Sequence, residues 1–381
     1  MKIALFTDTY LPTVDGVVNS VINTKRALQR MGHDVLVIAP EDRKNGSVQE
    51  EDTLYCRARE FKRYPGYRIA LYPAKKELEF LQECGTDIIH SHGIAFMGLK
   101  GMWAARELGL PMVLTFHTMI LDAIPYYTSL RPRSHLLKKL ISVYLRGFLH
   151  HCGAVVTPTE AILNELRTIA PRMRRTAVVP SGVDVTRFRP ELDGSPVRER
   201  HDLGDAEVIL YVGRVAPEKD IGFLLEAFPR LLREKPGSKL LVVGTGPYLA
   251  RCQMYVEKKG LNDSIIFTSF VPDEELPLYY AACDALAIAS KFETQGLVVL
   301  EAMACGKPVA AVNYRAFPEY IKDGFNGFLF APGDLDGCCQ AILKALDSGE
   351  EVKRRARETA ERFSLDTCTR RLVSLYEDMV S

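Results

Sequence analysis

Several features are missing from this sequence of 381 residues, and each absence excludes a class of protein. No apolar run approaches the roughly 18 residues of a membrane-spanning helix. The start, MKIALFTDTY, has the pattern of a short strand containing an acid and is not typical of a signal peptide. The nine cysteines show no CxxC spacing, so we expect reduced, mostly buried thiols in a cytosolic protein. What remains, 47% hydrophobic and 25% charged residues, is typical of a globular protein of roughly two or three domains.

The net charge of +1 is too small to indicate nucleic acid as a partner. It is unevenly divided, because residues 1–185 carry a net +6 and the remainder a net −5. The positive excess is a hint about what the first half of the chain faces.

Short apolar runs alternate with stretches of helical periodicity, which indicates βα units with parallel strands. The predicted strands are KIALFTD, DVLVIAP, DIIHSH, MVLTFH and AVVTP in the first half, and EVILYVG, KLLVVG, SIIFTSF, DALAIAS and KPVAAV in the second. Two doubly wound sheets fit this series better than one very large sheet. The polar stretch 185–206 contains Pro and Gly and is the predicted boundary. We therefore predict domains at 1–185 and 186–365, and a last helix at 366–381 whose packing partner is left open.

Ligands of open α/β sheets bind beyond the carboxyl ends of the strands, so polar residues directly after strands are the candidates. Asp15 and Gly16 follow the first strand, where N–H groups at a helix N-terminus can bind an anion, although an ordinary βα turn explains them as well. Gly213 and Arg214 end the strand EVILYVG, and Lys219 opens the next helix. The two cations suit a diphosphate, although solvated basic residues in a loop are the alternative.

A glycine pair, Gly244 and Gly246, follows KLLVVG, but Leu249 stands where the GxGxxG pattern requires its third glycine. A tight turn with Pro247 at the start of a helix explains this segment without a ligand. We therefore favour a structural role for it.

The most informative segment is KFETQGLVVLE, which follows DALAIAS and contains Glu293 and Glu301. Their separation of eight residues is about 2.2 helical turns, so both carboxylates can point into one cleft. Carboxylates accept hydrogen bonds from vicinal hydroxyls, and N–H groups near Gly296 and Leu297 can hold phosphate oxygens. The combination favours a nucleotide sugar as ligand, and the alternative is a capping acid with a surface glutamate.

His117 ends the strand MVLTFH, where a residue facing a cleft is expected, although a core position is equally compatible. His90 and His92 end the strand DIIHSH and suggest a metal pair. No third ligand of a suitable type stands nearby in sequence, so we interpret these two as buried, hydrogen-bonding histidines.

Taken in order, these segments resemble those of a known family. The N-terminal glycine loop, PSGVD at 180–184, the GR…K pair, the GTGP turn and the E-x7-E spacing occur here in the order found in retaining glycosyltransferases of family 4. The resemblance covers nearly the whole chain. It implies the GT-B fold, an α/β architecture in which two Rossmann-like doubly wound domains face each other across a cleft. In that fold the C-terminal domain holds the nucleotide sugar and the N-terminal domain the acceptor.

The resemblance also implies a role for each matching residue. Arg214 and Lys219 would neutralise the donor diphosphate. Glu293 would bind sugar hydroxyls, Glu301 the nucleotide ribose, and His117 the sugar near its reacting carbon. The further donor-binding positions are Gly16, Gly213, Phe270, Val271, Gln295, Gly296 and Leu297.

The chemistry implied by the same resemblance is transfer of a hexose with retention of anomeric configuration. The C1–O bond to the nucleotide diphosphate breaks, and neither a metal ion nor another cofactor is required. We expect a donor linked to UDP rather than to GDP, such as UDP-glucose. Asp220 follows Lys219 where many members have Gly or Asn, which is a departure at a peripheral position.

The wording ETQGL resembles the branch that glycosylates diacylglycerol and phosphatidylinositol, which implies a lipid acceptor. Residues 131–151 combine five basic residues, and no acid, with apolar ones, as in an amphipathic helix that lies on an anionic membrane. A helix that packs its apolar face inward is an equal alternative. The candidate acceptor or membrane contacts are Asp15, Arg131, Arg133, Lys138 and Lys139. We therefore expect a cytoplasmic protein, attached peripherally to the inner face of the cell membrane if this helix binds lipid.

Two other functions stay open at this point. A soluble glycosyltransferase acting on a sugar, glycoside or polysaccharide would use the same donor residues. A non-catalytic protein that binds a nucleotide sugar or dinucleotide would leave the second glutamate, Glu301, idle.

Overall fold

A computed structural model describes residues 1–13, 16–41, 52–60, 68–70, 75–117 and 135–381, with side chains from Lys138 onward in the last range. The described residues form two compact units. The first consists of Met1–Gly182 with Leu365–Ser381, and the second of Val183–Ser364. Three predicted site residues, Asp15, Arg131 and Arg133, lie outside the described residues.

The first unit is built on a sheet of parallel strands. These are β1 Lys2–Phe6, β2 Asp34–Pro40, β3 Thr53–Cys56, β6 Ile88–Ser91, β7 Met112–Thr115, β8 Ala154–Thr157 and β9 Thr176–Val178, in the order β3-β2-β1-β6-β7-β8-β9. A separate antiparallel pair consists of β4 Ala58–Glu60 and β5 Arg68–Ala70. The helices described before the second unit are α1 Gly16–Arg30, α2 Lys75–Cys84, α3 Phe96–Leu108, α4 His135–His151 and α5 Glu160–Ile169.

Strand β1 shows why this sheet is buried on both faces. Ile3 and Leu5 pack in one apolar cluster and Ala4 and Phe6 in another, because successive side chains of a strand point to opposite faces. All four are fully buried. A sheet covered on both faces carries continuous apolar runs, which is the pattern that predicts these strands from sequence.

The second unit contains another parallel sheet. Its strands are β10 Val208–Val212, β11 Lys239–Val243, β12 Ile265–Ser269, β13 Ala285–Ile288, β14 Val309–Val312 and β15 Phe328–Phe330, in the order β12-β11-β10-β13-β14-β15. Its helices are α6 Ser195–Arg200, α7 Ile221–Glu234, α8 Leu249–Lys259, α9 Leu276–Ala282, α10 Leu297–Ala304, α11 Phe317–Tyr320, α12 Leu335–Leu346 and α13 Glu350–Arg362. A single 3-10 turn, Pro217–Lys219, precedes α7.

The last helix, α14 Leu365–Val380, belongs to the first unit. Leu372, Leu375 and Tyr376 pack in the same apolar cluster as Ile3 and Leu5 of β1. The chain therefore returns to its first unit after completing the second.

The chain enters the second unit at Val183, just before the stretch 185–206 in which the sequence predicts the boundary. That stretch does not form a loose linker, because Phe188, Val197 and Leu203 are buried in the core of the second unit. The polar residues of this stretch lie between these three buried side chains.

The predicted class is confirmed as α/β, with two doubly wound, Rossmann-like parallel sheets. Each predicted strand is present; the antiparallel pair β4–β5 is additional, as are β3, β9 and β15 in the two parallel sheets. All three are edge strands of three or four residues, and so short a run leaves little sequence pattern. Within the described ranges, no helix combines the length and the apolarity that crossing a bilayer requires.

Candidate active site

The carboxyl edge of the second sheet brings together segments that are far apart in sequence. Strands β12, β11, β10 and β13 are neighbours and run parallel, so the segments that follow them meet at one edge. These segments are Phe270–Val271, Gly244–Pro247, Gly213–Lys219 and Lys291–Gly296. Most of the predicted donor-binding residues therefore lie in one row, as the strand pattern predicts.

Two of these segments pack backbone against backbone. A Cβ at Gly244 would lie 2.0 Å from the carbonyl oxygen of Gly213, and a Cβ at Gly246 would lie 2.2 Å from that of Val215. The Val215 N–H donates to the Thr245 carbonyl at 2.8 Å. The GTGP turn thus has the structural role that its incomplete glycine pattern indicates, and it holds the loop that carries Arg214.

Lys219 and Glu293 form the central ion pair of this edge. Lys219 Nζ lies 2.6 Å from Glu293 Oε1, and the two side chains are 22% and 17% exposed. The pair joins the segment after β10 to the segment after β13, 74 residues later. A cation and an acid predicted from separate motifs are thus direct neighbours, which is the arrangement needed to contact a phosphate and an adjoining sugar hydroxyl together.

Arg214 has an acidic partner that sequence reasoning missed. Its guanidinium pairs with Glu218, whose side chain is almost completely buried in the 3-10 turn. Their spacing of four residues is a signal that could have identified the pair. The buried Glu218 carboxylate therefore orients the Arg214 guanidinium.

The backbone conformation at position 220 explains why Asp can stand where many family members have Gly or Asn. Its φ of 50° lies in the left-handed region, which Gly, Asn and Asp tolerate better than other residues. Its carboxylate lies 3.3 Å from Lys291 Nζ. The departure from the family pattern therefore keeps the backbone conformation and adds an ion pair beside Lys219.

Gly296 begins helix α10 with a φ of 73°. A Cβ on it would lie 2.5 Å from the Phe317 ring, so a larger residue is excluded by both conformation and space. The neighbouring Gln295 is buried and Leu297 is half-buried. The first N–H groups of a helix lack partners in the preceding turn, and such groups suit phosphate oxygens.

Glu301 lies on α10, where Tyr280 of α9 donates a hydrogen bond of 2.6 Å to its Oε2. Burial raises the pKa of Glu301 to about 7, although the Tyr280 bond and the charge of Arg187 act to lower it. Arg187 is paired in turn with Asp273 at 2.6 Å. Sequence reasoning missed Tyr280 and Arg187, which lie 21 and 114 positions from Glu301 and have no motif spacing to it.

The remaining donor-binding predictions lie in different surroundings. Phe270 is 68% exposed after β12 and Val271 is half-buried. Gly16 is the exposed first residue of α1 in the first unit, and His117 follows β7 in the same unit. The structure thus brings together the second-unit residues and divides the predicted set between the two units.

The buried His90 and His92 and the half-buried His117 of the first unit form one array. His90 contacts the Tyr376 hydroxyl at 2.5 Å and the Thr115 hydroxyl at 2.7 Å, and His92 Nδ1 lies 2.9 Å from His117 Nε2. Burial lowers the pKa of His90 to about 3 and that of His117 to about 4. His90 and His92 are therefore buried, hydrogen-bonding residues. Among the described residues, no group of three His, Cys, Asp or Glu side chains could hold a metal ion.

Helix α4 packs part of its apolar set inward and leaves the rest exposed. Leu145 and Phe148 are buried in the first unit, whereas Leu140 and Val143 are 58% and 59% exposed. The predicted contacts Lys138 and Lys139 are exposed on the same helix.

Two family profiles match the chain. The profile described as Glycosyltransferase Family 4 matches residues 14–187, and the profile described as Glycosyl transferases group 1 matches residues 196–363. The chain is 33% identical to alpha-monoglucosyldiacylglycerol synthase of Streptococcus pneumoniae, over all of this chain and 86% of that protein. It is 37% identical, over 43% of this chain and 45% of the relative, to the GDP-mannose-dependent alpha-(1-6)-phosphatidylinositol monomannoside mannosyltransferase of Mycolicibacterium smegmatis.

Among solved structures, the chain is similar to Anabaena HepE in complex with UDP, with a TM-score of 0.80. The similarity covers 99% of this chain and 100% of that one at 20% sequence identity. At that identity the likeness shows the fold alone. The predicted GT-B class is thereby confirmed for the two Rossmann-like units.

Proposed function

The chain belongs to glycosyltransferase family 4, and on this premise we propose that it transfers a hexose from a UDP-linked sugar to a lipid acceptor with retention of anomeric configuration. The observation that carries the proposal is the Lys219–Glu293 ion pair at the carboxyl edge of the second sheet. It lies in a row with Arg214 and the first turn of α10, so groups suited to a diphosphate adjoin a group suited to sugar hydroxyls.

The donor residues act on the charge that develops during transfer. The C1–O bond between sugar and diphosphate breaks, which gives the sugar oxocarbenium character and leaves negative charge on the departing phosphate. Arg214, Lys219 and the N–H groups of α10 stabilise that charge where it forms. Glu293 accepts hydrogen bonds from sugar hydroxyls while it also fixes the Lys219 ammonium.

Retention follows if the acceptor hydroxyl attacks on the face from which the diphosphate leaves. The departing phosphate then accepts the proton of the acceptor hydroxyl, so the bond to the acceptor forms as the bond to phosphate breaks. No side chain of the protein acts as nucleophile in this scheme. The phosphate becomes a stronger base as its bond to C1 lengthens, so it can accept this proton. Its cationic partners hold it in position beside the acceptor hydroxyl. We also propose that these steps need no metal ion.

The base and ribose of the donor are assigned to two further positions. The exposed Phe270 ring can cover a base, and the Glu301 carboxylate can accept hydrogen bonds from the ribose hydroxyls. UDP is favoured because the full-length relative is a glucosyl-lipid synthase and a similar fold binds UDP. Relatives whose names specify GDP-mannose also align with this chain, one of them at 28% identity over 88% of this chain's length, so the test below includes that donor.

A lipid acceptor is supported by the names of both relatives, one a diacylglycerol and the other a phosphatidylinositol glycosyltransferase. The exposed apolar residues and lysines of α4 supply a surface compatible with a membrane that contains such acceptors. We therefore propose peripheral attachment of a cytoplasmic enzyme.

The test is a transfer assay with UDP-glucose, UDP-galactose and GDP-mannose, each offered with diacylglycerol or phosphatidylinositol in mixed micelles or with free sugars. We expect UDP-glucose and a lipid to give product with an α-linkage by proton NMR. In Lys219→Ala the loss of one charged donor should lower kcat by about a hundredfold to a thousandfold, equivalent to ~2.7–4 kcal/mol.

Lys235→Ala is the matched control, because Lys235 is also 22% exposed and also pairs with a glutamate at 2.6 Å. Its partner Glu207 precedes β10, so the pair lies at the opposite edge of the sheet. Unchanged transfer in Lys219→Ala and Glu293→Gln, or transfer to free sugars alone, would contradict the proposed site or the proposed acceptor.

A further inference from the structure

We propose that His92 is a positioning residue that holds His117 in the tautomer with its hydrogen on Nδ1. This inference rests on the proposed function and on the role that the family resemblance implies for His117, a contact with the transferred sugar near its reacting carbon. His92 itself is 4% exposed and acts only through its neighbour.

The backbone around His92 is held from several sides. The His92 N–H donates to the Phe6 carbonyl at 2.7 Å, at the end of β1. Asp8 accepts hydrogen bonds from the N–H groups of Ala95 at 3.1 Å and Met97 at 2.9 Å, at the start of α3. The loop between β6 and α3 is therefore fixed to the segment after β1. The backbone position from which the His92 side chain extends is fixed with it.

The two rings meet through their nitrogens. His92 Nδ1 and His117 Nε2 are 2.9 Å apart, the ring planes differ by 17°, and the ring centroids are 5.2 Å apart. Nearly parallel planes allow an N–H in one ring plane to point at the in-plane lone pair of the other ring. The contact thus has the geometry of a directed hydrogen bond.

One hydrogen occupies this contact. Burial lowers the pKa of His117 to about 4 and that of His92 well below its usual value, so both rings are neutral at pH 7. A neutral imidazole carries one N–H and one bare nitrogen. Because one nitrogen must donate and the other must accept, the tautomers of the two rings are linked.

The second nitrogen of His92 decides the direction. His92 Nε2 is buried and has no hydrogen-bond partner among the described residues. A buried N–H without an acceptor is rarer and less tolerated than an unused lone pair, so Nε2 carries no hydrogen. The hydrogen of His92 then lies on Nδ1 and is donated to His117 Nε2, which leaves the hydrogen of His117 on Nδ1.

This assignment defines what His117 offers a sugar. With Nε2 occupied as an acceptor, the only hydrogen that the ring can donate is the one on Nδ1. It cannot remove a proton through Nε2. Loss of His92 would release the ring in both orientation and tautomer, which affects the chemical step more than donor binding by the second-unit residues.

The kinetic test compares His92→Phe with Tyr376→Phe. Phenylalanine keeps a buried ring and removes both nitrogens, and we expect kcat to fall by between about tenfold and a hundredfold with the donor KM within twofold. Tyr376→Phe removes a hydrogen bond to His90 from the same array without touching His117, so its kcat should stay unchanged. His92→Asn should recover activity, because its amide N–H can occupy the place of Nδ1.

A structural test is independent of turnover. In the 15N-labelled protein, the ring nitrogens of His117, assigned by their loss in His117→Gln, should show a bare Nε2 and a protonated Nδ1. His92→Phe should move His117 toward the Nε2–H form, and the wild-type measurement decides the tautomer even if that variant does not fold.

Equal kcat values for His92→Phe and Tyr376→Phe, or a protonated Nε2 in wild-type His117, would overturn the inference. Absence of sugar transfer by the wild-type protein contradicts the proposed function instead, and the tautomer measurement still applies.

Discussion

Glu301 shows how the surroundings of one residue change its chemistry. The carboxyl group is buried beside Tyr280, and its pKa is raised to about 7. Near neutral pH it is therefore present in both protonation states. A ribose diol donates two hydrogen bonds, and the ionised carboxylate accepts them better than the neutral acid does.

We therefore expect the donor KM to rise as the pH falls through 7. About nine tenths of Glu301 is ionised at pH 8 and about one tenth at pH 6 for a pKa near 7. Steady-state kinetics with UDP-glucose between pH 5.5 and 8.5 measure the effect. Glu301→Gln should have a higher donor KM that does not change in this range, and an unchanged pH profile in that variant would assign the titration to another group.

The raised pKa of Glu301 affects stability in the opposite direction to donor binding: lowering the pH weakens donor binding but stabilises the fold. Because the folded-state pKa is raised above the ordinary value of 4.5, the folded protein favours the protonated acid. This contribution is complete below pH 4.5 and is lost as the pH rises through 7. Glu301→Gln should therefore raise Tm relative to wild type at pH 8.5, by an amount that shrinks below pH 7 in calorimetry.

At the residue scale, sequence motifs identify candidate ligand-binding groups more readily than the groups that orient them. Arg214, Lys219 and Glu293 directly precede or follow recognisable turns, whereas Tyr280 reaches Glu301 from a different helix through a side-chain hydrogen bond. A partner on a neighbouring element leaves no spacing pattern in a single sequence.

Helix α4 illustrates the element scale. The apolar residues of this amphipathic helix have two different environments. Leu145 and Phe148 pack into the first unit, whereas Leu140 and Val143 are exposed. Periodicity predicts the helix and its apolar residues, but packing decides which of them remain at the surface.

We expect the wild-type protein to bind vesicles of anionic lipid and to bind them less as salt increases, because Lys138 and Lys139 attract the surface electrostatically. Leu140→Ser with Val143→Ser should reduce binding in a vesicle sedimentation assay, since both buried apolar area and charge contribute. Met254→Ser is the matched control, because Met254 is 62% exposed on α8 of the second unit. Absence of wild-type binding at low salt would remove the membrane assignment.

Short edge strands are the other lesson at this scale. Central strands such as β7 and β13 have every residue buried and appear as continuous apolar runs. β9 has three half-buried residues at the edge of its sheet, so its pattern does not differ from that of a loop. Complete burial on both faces therefore gives the clearest strand pattern, and the longer edge strand β12 is predicted even though most of its residues are only half-buried.

At the scale of the whole molecule, the return of α14 ties the end of the chain to its beginning. Leu372 is 6% exposed and packs in the cluster that covers one face of the first sheet. The stability of the first unit thus depends on residues that follow the entire second unit.

Leu372→Ala should destabilise the first unit by about 2–5 kcal/mol, because it leaves a cavity in a closed apolar cluster. Hydrogen exchange should increase in peptides covering β1 and β2 and stay unchanged in those covering β10 and β11. Val380→Ala, at a position of the same helix that is 43% exposed, should alter stability by less than about 0.5 kcal/mol. Faster exchange in β10 and β11 alone would contradict the assignment of α14 to the first unit.

The sequence by itself determined the α/β class, the central strands and the family, because apolar periodicity and motif order are local properties of the chain. Only the tertiary structure decided that Lys219 meets Glu293, that Tyr280 meets Glu301, that His92 meets His117 and that α14 joins the first unit. The residues joined by these hydrogen bonds lie between 21 positions apart, for Tyr280 and Glu301, and 286 positions apart, for His90 and Tyr376 of α14. Such contacts form only when whole helices and strands pack together.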